Sequence, residues 1–320
     1  MCELQIENYT LKRKLKNDKK NSMEKAYIIL AHKNMEQLNR LLRRLDDKYS
    51  HFFIHIDSKL PDNKLSDLKF NQFKTQLIKR LDTRWADFSL VEATLNALEA
   101  IRATNKEFCS ITLLSGQDYP IKSNDQINEF FSKTDERIFI EYYELPNHEK
   151  WSPRGGMYRI DKYFFGMKEH QLLSSRTMNF LGNIFPALQR NQPQNIKHYA
   201  GSQWWTIDMY ALNYILDFVK VNPAYSLFHK STFAPDEIFF HTILLNAKDG
   251  RISSGIVNNN KRFIRWNNAA MSHPEILLKE DVLKICESDA LFARKLDLDI
   301  NIEVFEQIDK RCLNNETVAA

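Results

Sequence analysis

Cysteine is scarce in this chain of 320 residues: there are four, at positions 2, 109, 286 and 312, with no CxxC pair among them. Such spacing argues against a structural zinc site or a disulfide scaffold and suits a reducing compartment. Long apolar runs are also missing. Nothing approaches the roughly 18 residues that a membrane span needs, and the first 25 residues are polar and Lys-rich rather than signal-like. The expectation is a cytoplasmic protein with a polar, basic tail over residues 1–24. Its Lys12–Lys20 stretch, KRKLKNDKK, either frays into solvent or makes a weak peripheral contact with the inner face of the membrane. Charge of one sign is lacking too: the net charge of +4 is spread along the chain and gives no reason to invoke nucleic acid. No repeat or low-complexity linker divides the sequence, so residues 25–320 read as one domain. Apolar residues are plentiful, and at 43% they suffice for a sizeable core.

Within that core, short β-rich runs alternate with amphipathic helices. Ala26–His32 (AYIILAH) reads as a strand, and Leu38, Leu41, Leu42 and Leu45 recur at helical spacing. His51–Asp57 reads as a second strand, followed by a helix with Ser89 as N-cap and Leu90, Thr94, Ala97, Leu98 and Ile101 on one face. Strands at 108–116 and 137–143 flank a helix from Asp125 to Phe131. The segment 146–193 has no clear period, with a helical stretch around Met178–Leu188, and reads as irregular and acceptor-facing. A strand then resumes at Gln203, with helices over Tyr210–Val219 and from Asp236, a strand at 263–266, and C-terminal helices. The alternation predicts an α/β fold, a Rossmann-type mixed and mostly parallel sheet flanked by helices. In such sheets ligands gather outside the carboxyl ends of the strands. His32, Asp57 and Gly116-Gln117-Asp118 fall there, which makes His32, Asp57 and Asp118 candidates for binding a nucleotide donor.

Phe233–Leu244, FAPDEIFFHTIL, is the strongest chemical statement of the chain. It presents Glu237 as a carboxylate at a helix start, suited to take a proton from an attacking hydroxyl; an acidic first turn with Asp236 as N-cap is the plainer reading of the same residues. A glycosyl transfer needs one such base, together with charge compensation for a diphosphate leaving group. Lys295, Arg294 and Arg262 are candidate cations. Asp297-Leu298-Asp299 is a weak metal candidate, lying near the C-terminus directly after FARK instead of at the end of a nucleotide-domain strand, and the cations offer a metal-free solution. Trp204 and Trp205 alternate on a strand and must face opposite sides, so one of them can offer a platform to a sugar. His241, four residues after Glu237, reads as a structural partner. A glycoside hydrolase would need a second carboxylate spaced across the bond, and a catalytically silent sugar-binding module needs none.

Eight segments together resemble the family of core-2/I-branching β-1,6-N-acetylglucosaminyltransferases and peptide O-xylosyltransferases in a short bacterial-type form: AYIILAHKN from 26, HIDSK from 55, WADFSLVEA from 85, LLSGQDYPIKSN from 113, GSQWWTI from 201, PDEIFFHT from 235, KRFIRW from 261 and LFARKLD from 291. The resemblance implies an inverting, metal-independent GT-A transferase, with a nucleotide half over about 25–145 and an acceptor and catalytic half over about 146–320. The implied activity moves GlcNAc or xylose from a UDP-sugar to a hydroxyl of a glycan or lipid-linked glycan, with no cofactor. It further implies Glu237 as base, Lys295 and Arg262 on the diphosphate, Asp57 on uracil, and Asp118 on the donor sugar or ribose; beside these, Trp205 is expected to border the sugar and Arg159 or Glu141 to reach the acceptor. Because Arg265 stands where relatives often carry an acid, either Arg262 or Arg265 could meet the phosphate. The long extensions, membrane anchor and disulfide cysteines of the animal members are not found in these residues, so the resemblance supports no inference of Golgi residence or of mucin and proteoglycan acceptors.

Overall fold

A computed structural model describes residues 23–69, 72–193, 196–266 and 274–313; the basic stretch Lys12–Lys20 lies outside them. The strands are β1 Lys25–Ala31, β2 Ser50–Ile56, β3 Thr75–Ile78, β4 Ser110–Ser115, β5 Tyr119–Pro120, β6 Ile138–Glu144, β7 Tyr199–Ile207, β8 Ile256–Val257, β9 Arg262–Ile264 and β10 Phe292–Arg294. The helices are α1 Met35–Leu45, α2 Ser89–Ala103, α3 Asn124–Lys133, α4 Tyr158–Asp161, α5 Glu169–Ile184, α6 Met209–Val221, α7 Pro223–His229, α8 Phe239–Leu245, α9 Gly250–Ser254, α10 Val282–Glu287 and α11 Ile302–Ile308.

Every residue of β1, β2 and β4 is buried, and a strand buried on both faces requires cover on both. β1 divides its side chains by alternation. Tyr27, Ile29 and Ala31 join Leu38, Leu41, Leu42 and Leu45 of α1, while Ala26, Ile28 and Leu30 join Val91, Ala97, Leu98 and Ile101 of α2. The main sheet runs in the order β3-β2-β1-β4-β7-β6-β8, and β7 alone is antiparallel to its neighbours. This is the mixed, mostly parallel α/β sheet that the alternation of elements predicts. Its order reverses between β1 and β4, because the chain builds outward from β1 to β3 and then returns to the other side of β1. That reversal leaves a crevice at the carboxyl ends of β1 and β4, where loops diverge to opposite faces.

A small second sheet, β5-β10-β9, was not legible in the sequence. It carries the C-terminal segment back to the crevice, and Leu296 N donates to the Gln117 carbonyl at 2.9 Å. At the other edge, β7 approaches β6 so closely at a register shift that a Cβ on Gly201 would lie 1.8 Å from the Glu141 carbonyl oxygen. Only glycine fits there.

Several sequence expectations are corrected. Ser89 does not cap α2; its hydroxyl accepts from Arg84 N at 3.0 Å and so fixes the loop before the helix. The helix expected around Met178–Leu188 is α5, which starts at Glu169 and stops before Pro186. The helix expected from Asp236 begins at Phe239, after a tight 3₁₀ turn over Pro235–Glu237. Cys286 and Cys312, which spacing did not pair, form a disulfide. Among the described residues, no helix is long and apolar enough to cross a membrane.

Candidate active site

The carboxyl ends of β1, β2, β4 and β10 open into a cavity of about 830 Å³, within the range of small-ligand sites. Its lining includes His32 after β1, Asp57 after β2, Ser115 and Gln117 after β4, Arg294 and Lys295 at the end of β10, and Trp204 from β7. Thr83, Arg84 and Trp85 close one side, and Gly166, Met167, Lys168 and Gln171 from the approach to α5 close another.

Two adjacent cations define its floor. Arg294 Nη1 donates to Asp118 Oδ1 at 2.9 Å and to Ser115 Oγ at 3.0 Å, while its guanidinium lies 4.1 Å from the centre of the Trp204 ring. The group is therefore held flat and in place before any ligand arrives. Among the described residues Lys295 Nζ makes no ion pair and no hydrogen bond. Its pKa is lowered by partial burial and by the neighbouring charges of Arg294 and Lys33, against a smaller opposing pull from Asp297. The Lys295 charge is thus disfavoured where it stands and would be relieved by an anion. His32, at the exposed mouth, has its pKa lowered by partial burial and by Lys295.

Asp57 is buried yet charged. Oδ1 accepts from Lys59 N at 2.8 Å, and Oδ2 accepts from Lys59 Nζ at 2.8 Å and from Thr83 Oγ1 at 2.5 Å. Burial pushes its pKa up, but these hydrogen bonds outweigh burial and hold it below the usual carboxylate range. Asp118, fully buried, does not line the cavity. It accepts from Ser115 N at 2.5 Å and holds Arg294, so its role is to position a cation rather than to touch a sugar.

Arg262 is the principal correction. It is buried under the sheet, donating to the carbonyls of Asn260, of Leu113 at 2.9 Å and of Trp205 at 3.5 Å, with Phe292 against its guanidinium. Burial lowers its pKa to about 10. A side chain spent on backbone carbonyls is not available to a phosphate. Arg265 does not face the cavity either, since it is ion-paired with Glu275 and Asp281. Arg294, itself a candidate cation of the sequence, lines the cavity beside Lys295, whereas Arg262 and Arg265 do not. The alternation of the tryptophans holds, but in the opposite sense to the expected one. Trp205 is fully buried against Phe240, and Trp204 faces the cavity. The sequence offered no means of choosing, because the choice depends on which face of β7 the helices cover.

Glu237 belongs to a neighbouring cluster rather than to the cavity wall. Arg159 Nη1 donates to its Oε2 at 2.6 Å, and the Arg159 guanidinium stacks 3.6 Å from the Trp151 ring centre. Gly156 (φ 85°) makes room for that ring, since a Cβ there would lie 2.2 Å from it. Among the described residues Oε1 of Glu237 receives no hydrogen bond, and the side chain is 35% exposed. Tyr143 is close enough that its pKa is raised by burial and then by the charge of Glu237. The turn is tied to the cavity rim by the Ala234 N to Ala86 O hydrogen bond of 3.0 Å and by the contact of Phe233 with Trp85. Asp236 does not cap a helix; it is buried, and burial together with the charge of Glu237 raises its pKa to about 7. His241 is buried in α8, its pKa lowered to about 4 by burial. Glu141 does not reach the cavity: it accepts from Asn260 Nδ2 at 2.9 Å, and burial raises its pKa. Asp297 is ion-paired with Lys33, and Asp299 accepts from Asn34 Nδ2 at 2.7 Å, so the Asp-Leu-Asp motif is internally engaged.

The sequence model of the Core-2/I-Branching enzymes matches residues 25–286. The chain is similar to a xylosyltransferase of Ciona intestinalis, 25% identical over an alignment of 313 residues that covers 89% of this chain and 33% of that one. It is also similar to xylosyltransferase 2 of Rattus norvegicus (25% identical; 89% and 33%) and to xylosyltransferase 1 of Canis lupus familiaris (25% identical; 90% and 30%). The chain thus spans about a third of the length of these relatives. A crevice at the sheet's reversal, a paired cationic floor and a family match over most of the residues agree, and the chain belongs to the Core-2/I-branching enzyme family.

Proposed function

We propose that this protein is a glycosyltransferase that moves a sugar, GlcNAc or xylose, from a UDP-sugar to a hydroxyl of a glycan or lipid-linked glycan, with inversion and without a metal. The observation that carries the reading is the pair Arg294 and Lys295 at the floor of the crevice, one cation pre-set by Asp118 and the other without a partner among the described residues. The donor's diphosphate lies on this pair, its nucleoside beside Asp57 and its sugar against Trp204. The acceptor oxygen attacks the anomeric carbon as the bond from that carbon to the diphosphate oxygen breaks. The hydroxyl proton passes to Glu237, and Arg294 and Lys295 compensate the charge left on UDP. One displacement inverts the anomeric centre. β7 brings Trp204 to the cavity and packs against the turn that carries Glu237, which supports their cooperation. Arg159 orients the carboxylate.

The test is Glu237→Gln. Turnover of a UDP-sugar with a glycan acceptor should fall by about 10²- to 10⁴-fold, while UDP affinity by calorimetry stays unchanged. Near-normal turnover would remove Glu237 as the base. Activity that is lost in excess chelator and restored by Mn²⁺ would defeat the metal-free part, and free sugar without extended acceptor would point to hydrolysis.

A further inference from the structure

Helix α5 is built inside out. Its buried residues are Ser175 and Gly182, whereas Leu173, Phe180 and Ile184 are 64, 62 and 52% exposed. At the α-helical advance per residue, positions 173, 180 and 184 fall within about 40° of one another and opposite the buried pair. Phe185, just past the helix, and Phe165, before it, are exposed as well. α1 shows the usual arrangement, with Leu38, Leu41, Leu42 and Leu45 buried. Hydrogen bonds rather than an apolar face attach α5. Ser175 Oγ accepts from Phe165 N at 2.9 Å, and Asn179 bonds both the N–H and the carbonyl of Tyr163 at 2.8 and 2.9 Å. Scattered exposed apolar residues are ordinary, but a continuous stripe left without a partner among the described residues marks an interaction surface.

Charge identifies the occupant. Residues 146–193 contain seven Lys and Arg against three Asp and Glu; Arg159 and Arg190 are buried, which leaves five accessible cations against the three acids. Lys168 and Arg176 are exposed on or beside the helix. A helix with Leu, Phe and Ile on its outer face and cations alongside is suited to lie in the interfacial plane of an anionic bilayer. We propose that α5 docks this protein on an anionic lipid surface, with Leu173, Phe180 and Ile184 entering the acyl boundary. Gly166, Met167, Lys168 and Gln171, at the entry to the same helix, line the cavity, so docking brings its mouth to the membrane. Delivery of a lipid-linked acceptor there rests on the transferase reading; the docking does not.

The experiment is co-sedimentation of the full chain with vesicles of phosphatidylcholine, with and without phosphatidylglycerol, in the absence of donor. Wild-type protein should partition to the phosphatidylglycerol vesicles, and the triple variant L173Q/F180Q/I184Q should bind at least about tenfold more weakly. The substituted side chains are exposed, so circular dichroism and thermal unfolding of the variant should match wild type. Arg176→Gln should weaken partitioning to the anionic vesicles. Equal partitioning of wild type and triple variant would overturn the proposal, because the basic N-terminal stretch, present in both, would then account for binding. Absence of wild-type binding would overturn it too. So would a concentration-dependent dimer in sedimentation velocity that the triple variant abolishes, which would make a second copy the occupant. UDP calorimetry on the same samples reads the nucleotide site separately, so the docking and the transferase readings fail distinguishably.

Discussion

Lys295→Met and Arg262→Met should behave in opposite ways, and the contrast tests which cations serve a ligand. Lys295 Nζ makes no ion pair or hydrogen bond among the described residues, and both its burial and the adjacent Arg294 already work against its charge. Removing that charge should leave thermal stability unchanged or slightly raised. A diphosphate on the crevice floor would lose a charge-assisted hydrogen bond, about 1.5–3 kcal/mol, so the Kd for UDP should rise about 10- to 150-fold. Arg262 is the converse case. Its guanidinium serves the carbonyls of Asn260, Leu113 and Trp205 from a buried position. Methionine there leaves those carbonyls without their donor, at about 1–3 kcal/mol of stability, while the folded fraction should bind UDP as wild type does. Isothermal calorimetry with UDP in chelator, at moderate salt, gives the first quantity, and thermal unfolding gives the second. An unchanged Kd in Lys295→Met, or a Kd raised as much by Arg262→Met as by Lys295→Met, would refute the reasoning.

Two further outcomes follow from buried groups and close approach. Asp236 has a folded-state pKa of about 7, raised above its unfolded value, so the folded protein holds a proton that the unfolded chain releases. Its effect is therefore a loss of stability as pH rises from about 4 to 7 and a constant cost above that. Asp236→Asn should remove this decline and raise the melting temperature more at pH 8 than at pH 5. Because His229 and His241 are buried with lowered pKa values and pull the opposite way at acid pH, the difference between wild type and variant is the readout. A melting-temperature difference that does not vary with pH would exclude the buried acid as its source. Gly201→Ala should destabilise by at least about 3 kcal/mol, because the Glu141 carbonyl sits 1.8 Å from the added carbon. Denaturant unfolding midpoints measure it, and a midpoint within error of wild type would show that β6 and β7 are not so closely apposed.

Much of the fold was legible because a parallel sheet buried on both faces leaves a strong local record. Ala26–Ala31 is a near-continuous apolar run, Ile111, Leu113 and Leu114 mark a second strand, and the leucines of α1 repeat at the helical period. Polar residues at strand ends, His32 and Asp57 among them, pointed to the crevice because strand ends and loop directions are linked by topology. α5 was misjudged for a physical reason. Periodicity reports which face a helix buries, and this helix buries serine and glycine, so its apolar residues carry no inward signal.

The sequence alone determined the alternation of elements, the mostly parallel sheet and the segments that meet at its carboxyl edge, since propensity and hydrophobic period are local properties of the chain. Only the tertiary structure decided which of several similar side chains face the crevice. Trp204 rather than Trp205, and Arg294 rather than Arg262 or Arg265, line it, because the side of β7 covered by α8 and the path of the small second sheet are fixed by contacts between residues more than a hundred positions apart in some cases. Carbonyls reached across such distances hold one arginine inside the protein and a similarly distant carboxylate holds another at the cavity wall, and no local pattern in the chain records that difference.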